Sequence, residues 1–258
     1  MTNRAAEPAL LLPLITPPLA EPSADGPAER RTVLVIGAHP DDPDFSSAGT
    51  AALWVAAGLQ VVYVVVTSGD KGTPDHTMTN ERLIAIREAE QAAAAREAGV
   101  TDVVFLHFPD GEVMPDLALR GAITREIRRW KAYAVLTHDP LTLFYNNAFI
   151  NHPDHRAVGY STVDAIYPTA RDPLQFHSQI TDEGLEPHKV KEIFLFGSDS
   201  PTGVVDISDV IEQKIAALRH HVSQVGEAEA MAARVRERAA DVGKLAGVAY
   251  GEGFRRVR

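Results

Sequence analysis

An α/β fold, with a mostly parallel sheet flanked by helices and a smaller irregular α+β portion toward the C-terminal end, is predicted by two features of the chain from Thr32 onward. Short apolar runs alternate with amphipathic stretches, the pattern of strand-helix-strand units around a parallel sheet. Polar residues follow directly after the apolar runs, and a parallel sheet binds its ligands outside the carboxyl ends of its strands. Together these predict a Rossmann-like single domain over residues 32–258, preceded by a flexible arm over residues 1–31.

Strands are expected at 33–36, 61–67, 103–106 and 132–137, each a run rich in Val, Ile, Leu or Ala. The first helix is expected from about Ser46 to Ala57, with Ser46 or Ser47 as N-cap and Gly58 just beyond its end. "NERLIAIREAEQAAAAREAGV" is the clearest helix, with Asn80 as the cap, Glu81 in the first turn and Gly99 as the stop. A third helix over 117–130 puts Leu119, Ile123 and Ile127 on one stripe. The second half is less regular. A helix is expected from near His155 to Ile166, strands at 192–196 and 204–206, an amphipathic helix within 206–224 and a last helix over 228–245. No internal repeat is visible.

The net charge of −10 argues against a nucleic-acid partner, since the nearest thing to a basic stripe is the tail "FRRVR". With no cysteine in the chain, neither a disulfide framework nor a thiolate metal site can form. Any metal must sit on His, Asp or Glu. Ala9 to Ile15 is mostly apolar, but prolines at 8, 13, 17 and 18 break it. It is read as an arm that packs its Leu/Ile patch on its own domain or on a neighbouring subunit, which would make a homo-oligomer, and not as an export signal. A cytoplasmic location follows from that reading. No run reaches the ~18 apolar residues of a membrane span.

Two short motifs carry the chemistry: "AHPDD" at 38–42 and "HPDH" at 152–155. In both, Pro biases the preceding His toward extended backbone. A second ligand-type side chain follows three positions after the His, on the same side of a tight turn or first helical turn. His39 with Asp42, and His152 with His155, can each reach a common point. Taken alone, each motif also reads as a solvated turn; their joint occurrence between strand and helix favours a site. Three such groups around one divalent ion make a two-histidine, one-carboxylate set with open positions, which suits catalytic zinc and also ferrous iron. Adjacent Asp41 and Asp42 cannot both point at one ion in a regular backbone, so one is free to move a proton. His138, in "LTHDPL", lies at a strand end and is expected to line the pocket, and His107 is weighed the same way. Asp70 and Asp110 read equally as turn caps or pocket residues. His220 and His221 are placed away from the strand ends as solvated or packed histidines. The loop "LTLFYNNAFIN", with Phe144, Tyr145 and Phe149, is taken as one wall of a substrate pocket.

Through "VLVIGAHPDD", "VTSGDKG", "REAEQAAAAREAGV", "FPDG" and "HPDH", the chain resembles the LmbE-like, or PIG-L-like, zinc-dependent de-N-acetylases. The resemblance is strong over about residues 33–158 and weak beyond. It implies a metal-dependent hydrolase that removes the acetyl group of an N-acetylglucosaminyl-type small molecule by attack of a zinc-bound water. A related alternative is amidase action on a larger sugar amide conjugate at the same metal site. The resemblance also implies that His39, Asp42 and His155 bind the zinc, that Asp41 is the general base, and that His152 stabilises the oxyanion, oriented by Asp154. Arg87 corresponds to an arginine that faces the sugar; its plain alternative is a surface charge paired with Glu90. The family often has Glu directly after the two aspartates, where this chain has Pro43. A nucleotide-binding domain is disfavoured, because "GAHPDD" sets carboxylates where a pyrophosphate would lie.

Overall fold

The computed structural model describes residues 11–19, 30–145 and 148–257. The element order is β1 (Thr32–Gly37), α1 (Asp42–Ala56), β2 (Gln60–Thr67), α2 (Asn80–Glu97), β3 (Asp102–Phe108), α3 (Leu117–Trp130), β4 (Ala134–His138), β5 (Phe144–Tyr145) and β6 (Phe149–Ile150). There follow α4 (Pro153–Ile166), α5 (His177–Thr181), β7 (Glu192–Phe196), β8 (Gly203–Asp206), α6 (Ile211–Leu218), α7 (Val222–Val225), α8 (Ala228–Lys244) and β9 (Gly251–Val257).

The strands form a seven-stranded sheet in the order β3-β2-β1-β4-β7-β9-β8. β3, β2, β1, β4 and β7 run parallel, while β9 pairs antiparallel with both β7 and β8. Strand order reverses between β1 and β4, which opens a crevice at their carboxyl ends. Both faces of the sheet are covered. Val33 and Val35 of β1 face one core with Trp54, Tyr63 and Phe194; Leu34 and Ile36 face the other with Ile123, Ile127 and Val158. Strands buried on both faces read as continuous apolar runs, which is why the first two were legible.

The structure departs from the expected elements at several points. α1 begins at Asp42, not at Ser46, and is kinked at Ser47 (φ −153°, ψ 15°). Pro43 sits in its first turn, where a missing N–H costs nothing. α2 is capped by Thr79, whose side chain accepts from the Arg82 amide, and Asn80 instead donates to Asp70. α4 starts at Pro153 with His152 as its N-cap. The tail, the nearest thing in the sequence to a basic stripe, falls in β9, with Arg256 paired to Glu192 and placed over the Phe194 ring. Within the arm, Leu14 bridges in parallel to Val204, and Ile15 is buried and donates its amide to the Val204 carbonyl at 2.7 Å. That stretch lies on its own domain. The flexible-arm reading of residues 1–10 and 20–29 falls outside the described residues, as does Asn146–Asn147 of the aromatic loop.

Candidate metal centre

The β1 strand ends at Gly37, and the chain folds back at once into α1. A Cβ on Gly37 would sit 2.9 Å from the Asp42 Cβ and 3.0 Å from the Pro43 Cδ, so the turn closes only around glycine. It returns the Asp42 carboxylate onto its own strand end, where Oδ2 accepts the amides of Ala38 (3.0 Å) and His39 (2.7 Å). Oδ1 faces His155 Nε2 at 3.2 Å, and Oδ2 lies 3.3 Å from His39 Nδ1. One donor atom each from His39, Asp42 and His155 lie within 4.8 Å of one another.

The outer atoms of both imidazoles show that this set fits a cation. His155 Nδ1 lies 3.0 Å from Asn151 Oδ1, an acceptor, so Nδ1 carries the proton and Nε2 turns its lone pair toward Asp42. His39 Nε2 lies 3.1 Å from Asp110 Oδ1 and 3.2 Å from Asp154 Oδ2, which likewise places the proton there and leaves Nδ1 toward Asp42. Two imidazole lone pairs and a carboxylate then converge with no hydrogen between them, as a divalent ion requires. Without an ion, a proton takes that role. Burial works against it, but the Asp110, Asp154 and Asp42 carboxylates hold His39 well above its ordinary pKa. Burial alone would raise Asp42; the facing His155 and His138 hold it well below the usual carboxylate range.

Asp41 caps α1 with φ 100°, a conformation non-glycine residues rarely adopt. Its carboxylate lies 3.4 Å from the Arg87 guanidinium. Burial and the Asp42 charge push the Asp41 carboxyl up to about 6, against the opposing pull of Arg87. His152 stands at the mouth of the site, its ring edge-on to His39 at 4.6 Å. Its Nδ1 accepts the Asp154 amide at 3.2 Å, which places the proton of the neutral ring on Nε2. Burial, with His39 nearby, lowers its pKa and keeps that neutral form dominant.

Three of the expected residues make contacts other than the ones their expected roles name. The Asp154 carboxylate does not orient His152, whose Nδ1 lies 3.9 Å from Oδ1. It is fully buried, accepts the amides of Gly111 (2.7 Å) and Val113 (3.3 Å), and holds His39. His138 is buried behind the candidate ligands. β4 is still paired with β7 at this residue, and the ring is 3% exposed, stacked on His155 at 4.1 Å behind Asp42, with burial driving its pKa down to about 4. Arg87 is turned inward and, among the described residues, is not paired with Glu90. It is buried and donates to the carbonyls of Pro40 (2.8 Å) and Gly69 (3.2 Å), with Asp41 Oδ2 at 3.4 Å. Its guanidinium occupies the space a Cβ on Gly69 would need. Tyr145 is half-buried with its hydroxyl against Gly197, and burial together with the Asp42 charge pushes it up to about 12. Phe144 and Phe149 of the same loop are exposed, and His107 points largely to solvent.

Sequence reasoning underrated Asp110, which shares His39 with Asp154, although "FPDG" follows a strand end as the two main motifs do. It missed Asp44 and Gln91 altogether. His221, placed away from the strand ends, is completely buried with Nε2 2.9 Å from Asp44 Oδ2, whereas His220 is exposed beside Glu97.

Residues 34–166 match the family described as PIG-L: GlcNAc-PI de-N-acetylase. The diacetylchitobiose deacetylase of Thermococcus kodakarensis is 33% identical over 227 residues, 87% of this chain and 82% of that protein. The chain belongs to the PIG-L family. A second PIG-L relative, the 1D-myo-inositol 2-acetamido-2-deoxy-alpha-D-glucopyranoside deacetylase of Mycobacterium sp. (strain KMS), is 27% identical over 242 residues, covering 76% of this chain and 75% of that protein. The structure of N,N'-diacetylchitobiose deacetylase from Pyrococcus horikoshii, complexed with an inhibitor, superposes with a TM-score of 0.81 at 33% identity, covering 89% of this chain and 84% of that one. PIG-L deacetylases are metalloenzymes, and the cluster of His39, Asp42 and His155 has the donors to hold a metal. The PIG-L match runs from β1 to the last residue of α4, so it contains both histidine motifs and ends before α7 and His221.

Proposed function

We propose that the protein hydrolyses the acetamide of an N-acetylated amino sugar, releasing acetate and the free amine, with a divalent ion held by His39, Asp42 and His155. The observation that carries this reading is the convergence of those three donors next to a second carboxylate, Asp41, that is not one of them. Bound there, zinc acts as a Lewis acid that polarises the amide carbonyl and lowers the pKa of a water, and ferrous iron suits the same donors. Asp41 takes the proton of the attacking water and returns it to the leaving amine. His152, with its proton on Nε2, donates to the oxygen on which negative charge develops. Tyr145, a neutral phenol at the site's edge, supplies a donor to the sugar. The names of both relatives, deacetylases of acetylated glucosaminyl compounds, support this substrate class. Among the described residues no helix is long and apolar enough to cross a membrane.

Protein purified without added metal is expected to carry about one zinc or iron per chain by elemental analysis, and His39→Ala, Asp42→Ala and His155→Ala each to lose it. Asp41→Asn is expected to keep the metal and lose roughly 10²–10⁴-fold in turnover. Free-amine release across a panel of N-acetylated sugars reads the activity. Metal retained by all three ligand variants, or full turnover by Asp41→Asn, would remove the corresponding assignment.

A further inference from the structure

We infer that Gln91, locked in place by Asp44 and His221, is a positioning residue that fixes Asp41 for proton transfer. The inference rests on the reading of Asp41 as the base. Asp41, at φ 100°, is in a strained conformation for a non-glycine residue, one that persists only where the surroundings enforce it. Here the enforcement falls on one peptide unit, gripped at both ends. Its carbonyl, on Pro40, accepts from Arg87 at 2.8 Å; its N–H, on Asp41, donates to Gln91 Oε1 at 2.8 Å. Arg87 and Gln91 lie one turn apart on α2 and reach across together.

A glutamine can hold an N–H only if its amide presents oxygen and not nitrogen, and Asp44 decides which. The Asp44 carboxylate accepts, so it draws Gln91 Nε2 to Oδ2 at 2.7 Å and turns Gln91 Oε1 to Asp41. The same Oδ2 is fixed by His221 Nε2 at 2.9 Å, from the residue that precedes α7. Gln91, Asp44 and His221 are all buried to 2% or less by side chain or residue, so they act on the reaction through Asp41 alone. Asp42 is held separately, by the amides of Ala38 and His39. Loss of the Gln91 grip therefore redirects Asp41 without releasing the metal ligand beside it.

The test is a double-mutant cycle on the full chain, with turnover, KM and zinc content measured for each variant on an N-acetylated amino sugar that the wild type deacetylates. Gln91→Leu removes the acceptor. Asp44→Leu has a similar volume and no oxygen to draw Gln91 Nε2, so Gln91 Oε1 is no longer held toward the Asp41 N–H; this variant reports even where Gln91→Leu folds poorly. Each is expected to lower kcat by roughly 10–100-fold. KM and zinc per chain should stay within about twofold of wild type, and neither change should cost more than about twofold further in an Asp41→Asn background. An equal loss in that background, or zinc lost together with turnover, would overturn the positioning role. Full turnover by Asp41→Asn alone would overturn the base assignment and this role with it, and is read from a different variant.

Discussion

His39 divides its ring between two tasks, and the division assigns Asp154. Nδ1 faces Asp42 at 3.3 Å, while Nε2 is shared by Asp154 and Asp110 at 3.2 and 3.1 Å. A carboxylate behind a ligand imidazole fixes its tautomer and raises its basicity, and losing such a partner typically costs about 10–100-fold in metal affinity. Asp154→Asn is thus expected to weaken zinc binding by roughly that factor in competition with a chelator, with His152→Ala leaving affinity near wild type. Were Asp154 the support of His152, the variant would lose turnover and keep its zinc. The resemblance implied His152 as the partner of Asp154; here His152 is the extended N-cap (ψ 137°), whereas Asp154 already lies in the first helical turn. The two side chains leave the backbone in different directions. The pairs His39–Asp42 and His152–His155 were legible because i,i+3 spacing brings side chains together, while the choice of three among them came from the family resemblance; Gln91 was not legible, because an amide in the middle of an Ala-rich helix has no local signature.

At the scale of elements, the sequence read α3 correctly as a helix with an apolar stripe at Leu119, Ile123 and Ile127, but not what Arg128 beside it does. Arg128 is 1% exposed and, among the described residues, forms no ion pair. It donates to the carbonyls of Thr169, Ala170, Asp172, Gln175 and Phe176 and to Gln179 Oε1, and so gathers the turns between α4 and α5 around one cation. Desolvation lowers its pKa, with Asp172 and Glu186 opposing. Arg128→Met would leave several of these acceptors unpaired, at about 1–3 kcal/mol for each one that stays buried. Urea unfolding is expected to show at least ~3 kcal/mol of destabilisation, with hydrogen exchange accelerated first over residues 169–179. A change confined to a few tenths of a kcal/mol would mean that water replaces the guanidinium at little cost. Backbone carbonyls are the same in every sequence, so this organisation could not be read before the fold. The start of α1 was misplaced for a related reason. Asp-Pro-Asp reads as a turn, yet distant residues stabilise the helix: Glu252 of β9 accepts the amides of Gly49 (3.1 Å) and Thr50 (2.8 Å) just past the kink, and is itself paired with buried Lys214.

For the whole molecule, the β3-β2-β1-β4 order places the first motif at the reversal point of the sheet and brings the second to it on α4. The alternation of strands and helices made this parallel arrangement legible. The antiparallel return of β9 was not, since its short, arginine-rich run lacks the uniform apolar character of β1 and β2. The proposed metal ligands therefore come from two segments separated by most of the parallel half of the chain, and an ion bound between them would favour the folded state over any state in which they part. At a free ion concentration ~1,000-fold above Kd, that linkage is worth about 4 kcal/mol. For a chain of this size, each kcal/mol corresponds to roughly 2–4 °C in Tm. Chelation is expected to lower Tm by roughly 8–16 °C and added zinc to restore it. Far-UV circular dichroism at 25 °C should not change, because the two apolar cores on either face of the sheet are built without the site. In Asp42→Ala the chelator should move Tm hardly at all. If chelation abolished activity in the wild type but left Tm where it was, the ion would not be held jointly by the β1–α1 turn and α4, and the three-ligand centre would have to be redrawn.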